Sequence, residues 1–230
     1  PWNLSPSRAS CGRGQSMNPR RRQAVIIGGY RRRQRGETRM FARTPRLLLR
    51  PGWMEDAPAL AQAIGDPAVL RNLTRVPSPY GLEDALAFLE RPQDVHLPSL
   101  LAFTRTHGAP RLVGGCGITR ADDGGHELGY WIARPYWGLG FATEAAQAVL
   151  RMARANGVSG IRAVHFADNG ASGNVLRKLG FRQTGRVEPR FSPARGDTAP
   201  CLILEEGGVA RRGDDPAMDL YADAMPAMAA

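Results

Sequence analysis

The chain has 230 residues, of which 43% are hydrophobic, and this is enough for one globular domain with a substantial core. No apolar run approaches the ~18 residues that a membrane-spanning helix requires, so no membrane partner is expected. The formal net charge of +10 belongs to the N-terminal segment, because eleven Arg and one acidic residue fall within residues 1–45, whereas twenty basic and twenty acidic residues balance over residues 46–230. A nucleic-acid partner is therefore not expected for the folded part of the chain.

The cysteines and histidines argue against metal chemistry. Cys11, Cys116 and Cys201 are far apart and form no CxxC pair, and the four histidines show no HExxH spacing. We therefore predict no disulfide framework, no bound metal and a reducing, cytoplasmic environment.

The first 39 residues are rich in Arg, Gly and Ser and are predicted to be disordered, because they cannot bury enough apolar surface to offset the entropy of ordering. Three interpretations stay open: upstream sequence that takes no part in the domain, a basic arm that binds nucleic acid or the ribosome, and a transit peptide. The domain itself is predicted over residues 40–206, followed by a flexible tail over residues 207–230.

Regular elements begin at Arg46. "RLLLRP" predicts a strand, and "MEDAPALAQAIGD" and "GLEDALAFLER" predict two helices, the first with acidic residues and a proline near its start. "SLLAFTRT" and "RLVGGCGITR" predict a β-hairpin, and "HELGYWIA" predicts the next strand.

The second half of the domain opens with "GFATEAAQAVLRMARANG", which predicts a long helix that ends at Asn156-Gly157. "IRAVHFA" predicts a buried strand, "NGASGNVLRKLG" predicts a helix that ends at Gly180, and "FRQTGRVEPRF" and "APCLILEE" predict the last two strands. The order β-α-α-β-β-β-α-β-α-β-β indicates a mixed α/β domain.

The segment "PYWGLGFATEA" joins a strand to the long helix through Gly138 and Gly140. Two glycines at such a turn allow the backbone to approach a ligand closely. The free N–H groups and positive dipole end of the following helix favour an anion such as phosphate. The turn fits neither the P-loop nor the dinucleotide pattern GxGxxG, because Thr143 stands in place of the third glycine. The alternative is a turn that needs glycine only for its backbone geometry.

Four segments in order, "RLLLRP", "PSPYGLEDALAFLE", "PYWGLGFATEA" and "DNGASGNVLRKLGF", resemble the GNAT acetyltransferases, and within them the branch of ribosomal-protein N-terminal acetyltransferases. The resemblance covers about residues 44–206. It implies a mixed α/β fold with a mostly antiparallel sheet of about seven strands, splayed open at its centre and flanked by about four helices. It also implies an N-acetyltransferase that moves the acetyl group of acetyl-CoA to a primary amine by direct attack.

The same resemblance implies where acetyl-CoA binds. Its pyrophosphate would lie on main-chain N–H groups of the glycine turn, although the family pattern Q/R-x-x-G-x-G/A departs here at its first position, Pro135. Its pantetheine would bind free main-chain groups of the strand before the turn and polar side chains across the cleft. The residues implied for acetyl-CoA binding are Trp131, Ile132, Ala133, Gly138, Leu139, Gly140, Phe141, Ala142, Thr143, Asn169 and Asn174.

Two catalytic candidates follow from the resemblance. Glu127 stands where many members carry a carboxylate that takes the amine proton through water, and its alternative role is that of an ordinary strand-end carboxylate. Many members carry a tyrosine as general acid seven residues after Asn169, but that position is Leu176 here. Ser172, or a water molecule, would then protonate the leaving thiolate, and Ser172 is also a candidate helix cap.

The acceptor amine is left open between a protein N-terminus and a small molecule, and the chain is expected to be a monomer or a homodimer. Two alternative functions also stay open. One is an acyl-CoA-binding sensor without catalysis, and the other is a nucleic-acid or ribosome-binding protein that uses its Arg-rich segment.

Overall fold

The structure is a computed structural model, and it describes residues 40–105, 108–121 and 123–207. The segment 1–39, predicted to be disordered, and all but the first residue of the predicted tail lie outside the described residues. The strands are β1 (Ala42–Arg43), β2 (Leu47–Arg50), β3 (Ser99–Thr104), β4 (Leu112–Arg120), β5 (His126–Ile132), β6 (Ile161–Phe166), β7 (Phe181–Ser192) and β8 (Asp197–Glu206). The helices are α1 (Ala57–Ile64), α2 (Pro67–Leu70), α3 (Leu82–Glu90), α4 (Phe141–Ala155) and α5 (Gly170–Lys178).

The strands form one sheet in the order β1-β2-β3-β4-β5-β6-β8-β7. Strands β5 and β6 pair in parallel, whereas the other neighbouring pairs are antiparallel. The parallel pairing joins only three residues of β5, from His126 to Leu128, to β6. Beyond Leu128 the two strands separate, so the sheet is open at its centre on the side that leads to α4.

Each face of the sheet carries its own layer of helices. Helices α1, α2 and α3 pack on one face around Leu60, Leu70 and Ala85, and the side chain of Trp131 packs against this cluster. The long apolar stripe of α4 and the buried Leu176 of α5 pack on the other face, together with alternate residues of β4, β5 and β6. Because successive side chains of a strand point to opposite faces, β5 presents residues to both layers.

The predicted fold class is confirmed, with one more strand and one more helix than expected. The extra strand, β1, has only two residues and pairs with β2. The extra helix, α2, is capped by Asp66, whose Oδ1 accepts the N–H of Ala68, and it starts at Pro67. A four-residue helix is too short to show periodicity in a sequence. Among the described residues, no helix is both long and apolar enough to cross a membrane.

Candidate active site

A cavity of about 440 Å³ fills the opening between β5 and β6. Its walls come from the part of β5 that has left β6, from the facing part of β6, from the turn before α4, and from the first turn of α5. On the face covered by α1–α3 it continues to the segment after α2, where Asn72, Leu73 and Thr74 line it. The cavity therefore passes through the sheet and connects its two faces.

The glycine turn forms one end of this cavity. Gly138 and Gly140 have φ angles of 76° and 80°, a left-handed conformation that favours glycine over any residue with a Cβ. Gly140 is the N-cap of α4, and its carbonyl accepts the N–H of Glu144 at 3.1 Å. Within the described ranges, no protein acceptor is found for the N–H groups of residues 138–143. The turn therefore offers a row of donors at the positive end of a 15-residue helix.

The main-chain groups of β5 that face the opening differ from those predicted. The N–H of Ala133 donates to the carbonyl of Val113 at 2.8 Å, and its carbonyl accepts the N–H of Tyr136 at 2.9 Å. The prediction that Ala133 offers free main-chain groups is therefore wrong. Because donors and acceptors alternate along an antiparallel strand, the bond to Val113 also directs the main-chain groups of Trp131 towards β4, so the same prediction for Trp131 is wrong. Those of Tyr130 and Ile132 face the opening instead.

One of these facing groups already has a partner. The indole N–H of Trp137 donates to the carbonyl of Ile132 at 2.6 Å. The side chain of Trp131 packs among the helices of its face, and Tyr136 meets Phe141 edge to face with ring centroids 5.9 Å apart. The aromatic residues around the turn thus shape the cavity wall by packing.

Glu127 lies in the cavity wall but is tightly paired. Arg190 donates to both of its carboxylate oxygens at 2.9 Å, and Nε of Arg162 lies 3.4 Å from Oε2. The carboxylate is mostly shielded, with 13% of the side chain exposed. Burial raises the pKa of Glu127, but the hydrogen bonds and charge of Arg190, with the charges of Arg75 and Arg162, outweigh it and leave the pKa below its usual value.

Ser172 has a partner that the sequence analysis missed. The hydroxyl oxygens of Ser172 and Tyr130 lie 2.7 Å apart, and Tyr130 also donates to the main-chain carbonyl of Ser172 at 3.1 Å. Burial raises the pKa of the Tyr130 phenol, so this hydroxyl keeps its proton. The cap of α5 is Asn169, whose Oδ1 accepts the N–H of Ser172 at 3.1 Å, which leaves the Ser172 hydroxyl for other contacts. Tyr130 could have been found from the alternation of β5, which points it away from Glu127 and towards α5.

The cavity gathers most of the residues that the sequence singled out, while Ala133 and Leu139 are not in the part of its wall that the structure describes. Asn174 lies in the wall, and its side-chain Oδ1 accepts a hydrogen bond from the guanidinium of Arg177. The sequence-predicted residues in the wall are Glu127, Trp131, Ile132, Gly138, Gly140, Phe141, Ala142, Thr143, Asn169, Ser172 and Asn174.

Across residues 40–105, 108–121 and 123–207, no cluster of three or more His, Cys, Asp or Glu side chains could hold a metal ion. Cys116 is buried in β4, where desolvation raises the pKa of its thiol far above the usual range and suppresses the reactive thiolate.

Comparison with known proteins identifies the family. The Acetyltransferase (GNAT) domain family matches residues 46–182, more than half of the chain. Over 162 residues the chain is 28% identical to "Uncharacterized N-acetyltransferase p20" of Bacillus licheniformis, a match that covers 66% of this chain and 88% of that protein.

Solved structures share the fold. An acetyltransferase (GNAT family) from Bacillus anthracis superposes with a TM-score of 0.61 at 23% identity, covering 72% of this chain and 97% of that one. The RimL ribosomal L7/L12 alpha-N-protein acetyltransferase, solved in complex with coenzyme A, has a TM-score of 0.57 at 20% identity, covering 70% of this chain and 94% of that one. With the family match over residues 46–182 and the open sheet described above, the chain belongs to the GNAT family of acetyltransferases.

Proposed function

We propose that this domain transfers an acetyl group from acetyl-CoA to a primary amine by direct attack of the amine on the thioester. The observation that carries the proposal is the cavity between β5 and β6, which the glycine turn lines at one end and the segment after α2 lines on the face covered by α1–α3. Two substrates can enter such a cavity from opposite sides and meet at its centre. The related RimL structure holds coenzyme A, which supports the choice of donor.

The residues present fit acetyl-CoA along its length. The N–H groups of residues 138–143 would hold the pyrophosphate. The main-chain groups of Tyr130 and the N–H of Ile132 that face the opening, with the side-chain amides of Asn169 and Asn174, would hold the pantetheine. Bound there, acetyl-CoA would supply an activated acyl group.

The acceptor amine would enter on the face covered by α1–α3. Gly129 lies between Glu127 and Trp131 on this face of β5, and a Cβ built on it meets nothing within 4 Å. A glycine inside a strand that has no bulge is typical of a place where a ligand comes close to the backbone. The open space over Gly129 therefore gives the amine a path to the thioester.

Proton movements complete the reaction. A new C–N bond forms as the C–S bond breaks, the amine loses one proton and the leaving thiolate gains one. We assign the proton that the thiolate gains to the hydroxyl of Ser172, which Tyr130 orients through the 2.7 Å contact and which regains a proton from water. We assign the proton that the amine loses to water beside Glu127, because a carboxylate with a lowered pKa and two arginine partners is a weak base.

The test is acetyl-CoA turnover across a panel of amines, N-terminal peptides and polyamines, followed by the free thiol and by the mass of the acetylated acceptor. We expect release of coenzyme A that depends on the amine, with one acetyl group gained per thiol released. Binding of coenzyme A by calorimetry without turnover on any amine would favour the sensor alternative instead.

A further inference from the structure

Arg46, between β1 and β2, reaches across to the glycine turn. Its Nη1 donates to the main-chain carbonyl of Leu139 at 2.9 Å. Its guanidinium lies 4.4 Å from the centroid of the Phe141 ring, and Nη2 lies 3.5 Å from a Cβ built on Gly140. The arginine thus underlies the turn, far away in the sequence from the residues that form it.

The hydrogen bond to Leu139 has a consequence for the next N–H group. In a planar trans peptide, the carbonyl of one residue and the N–H of the next point in opposite directions. Because Arg46 holds the Leu139 carbonyl on its own side, the N–H of Gly140 is directed away from Arg46. Gly140 lines the cavity, so this orientation suits a donor to a bound anion.

The same arginine neutralises a carboxylate that would otherwise oppose an anion. Glu144 lies in the first turn of α4, next to the donors of the glycine turn. Its Oε2 accepts from Nε of Arg46 at 2.7 Å, and its Oε1 accepts from the main-chain N–H of Arg46 at 2.9 Å and from the hydroxyl of Thr44 at 2.5 Å. An unpaired carboxylate here would repel phosphate.

We propose that Arg46 is a positioning residue for the pyrophosphate of acetyl-CoA, because it orients the Leu139–Gly140 peptide and neutralises Glu144. The role rests on the proposed function and adds a residue outside the glycine turn to it. It predicts that loss of Arg46 weakens the binding only of acetyl donors that carry the pyrophosphate.

The experiment compares two acetyl donors, acetyl-CoA and S-acetyl-pantetheine, which ends before the pyrophosphate. For Arg46→Gln we expect the KM for acetyl-CoA and the Kd for coenzyme A by calorimetry to rise about 10-fold, with kcat unchanged at saturation. The KM for S-acetyl-pantetheine should stay within about twofold of the original. If Arg46 had a merely structural role, its loss would raise the KM for both donors by the same factor.

Further variants keep the test decisive if Arg46→Gln unfolds. Arg46→Lys keeps the charge beside Glu144 but cannot reproduce the guanidinium's paired contacts, so we expect an intermediate rise in KM for acetyl-CoA alone. The matched control is Arg154→Gln, which removes the ion pair with Glu206 at the other end of α4. It should leave the KM for both donors unchanged.

The outcomes separate this role from the proposed function. Two results would overturn the role of Arg46 and leave the proposed function standing. One is an equal rise in KM for both donors, and the other is an unchanged Kd for coenzyme A in a folded Arg46 variant. Failure of the unaltered protein to bind coenzyme A would overturn both.

Discussion

Glu127 shows how the partners of a side chain decide its chemistry. A strand-end carboxylate in a cavity wall is a natural candidate for a general base. The structure surrounds it with Arg190 at 2.9 Å and Arg162 at 3.4 Å, and its pKa is lowered. A carboxylate with a lowered pKa has little tendency to accept a proton, so the main effect of Glu127 on the amine is to offset part of the charge of Arg190. The base role of Glu127 stays a prediction that kinetics can decide.

For Glu127→Gln we expect kcat/KM for the amine to fall about 10-fold at pH 7, because the loss of the carboxylate leaves Arg190 to repel an ammonium group. In the unaltered enzyme, the rate should rise with pH as the amine loses its own proton. The measurement is kcat/KM between pH 6 and pH 10.

The matched control for Glu127 is Glu188→Gln, because Glu188 also contacts Arg190, at 3.5 Å, but does not line the described cavity wall. It should change kcat/KM less than about twofold. A loss of ~10²–10⁴ in kcat for Glu127→Gln would instead identify Glu127 as the base.

The Ser172–Tyr130 pair supplies the second residue-level prediction. Ser172→Ala should lower kcat by about 10-fold to 100-fold at saturating acetyl-CoA, and Tyr130→Phe should lower it less. Because the two hydroxyls act as a unit, the double variant should be no slower than Ser172→Ala.

Tyr80→Phe is the control for this pair, because Tyr80 packs among the helices of the other face. Its kcat should match that of the unaltered enzyme. Losses that add up fully in the Ser172/Tyr130 double variant would show that the two hydroxyls act independently.

At the scale of elements, the contribution of the turn before α4 to ligand binding can be distinguished from the backbone strain that any glycine substitution there introduces. Gly140→Val should weaken coenzyme A binding by at least ~10-fold, or about 1.4 kcal/mol, because a Cβ at this position lies 3.5 Å from Nη2 of Arg46 and the rest of the valine would displace the arginine that holds the turn. Gly157 has the same φ of 80° at the other end of α4, so Gly157→Val introduces the same strain without touching the turn.

Calorimetry with coenzyme A and thermal unfolding distinguish the two effects. We expect both glycine variants to lose stability and only Gly140→Val to lose affinity. Equal affinity in the two variants would remove the glycine turn from the binding site.

Strand β5 gives a prediction about the acceptor side. Gly129→Val places a β-branched side chain where a Cβ has open space, so the strand should tolerate it. The valine would fill the path of the amine, and a small misplacement of reacting groups can cost about 100-fold in rate. We expect kcat/KM for the amine to fall at least ~10-fold with coenzyme A affinity unchanged. Unchanged use of bulky amines would exclude this path.

At the scale of the molecule, the paired carboxylates predict how stability depends on pH. The pKa of Glu127 and that of Glu144 are lowered in the folded state, after burial is outweighed by hydrogen bonds and arginine charge. The two carboxylates therefore stabilise the folded state at pH values above 4.5, the usual pKa of glutamate. This stabilisation is lost as the pH falls through their lowered pKa in the folded state.

Chemical unfolding at pH 7 and at pH 3 measures this effect. Glu127→Gln should cost about 2 kcal/mol of unfolding free energy at pH 7, where the ion pair with Arg190 is intact. The difference from the unaltered protein should shrink at pH 3. A difference that stays constant down to pH 3 would show that the carboxylate charge contributes nothing.

Local signals were sufficient for much of the fold. The periodicity of α4 and its stop at Asn156-Gly157, the end of α5 at Gly180 and the short apolar strands are properties of neighbouring residues, which a sequence shows directly. The glycine turn could also be predicted, since the preference of a left-handed backbone for glycine is local and does not depend on the rest of the fold. Short elements such as α2 lacked enough residues to show a period.

The sequence by itself thus determined the family, most of the helices and strands, and the turn that would hold an anion. Only the tertiary structure decided which groups face the opening, because strand phase depends on hydrogen bonds such as that from Ala133 to Val113. It also decided the partners of Glu127, Ser172 and the glycine turn. Arg190, Tyr130 and Arg46 are distant from them in the chain, and only the packing of the sheet and helices brings their charges and hydroxyls together.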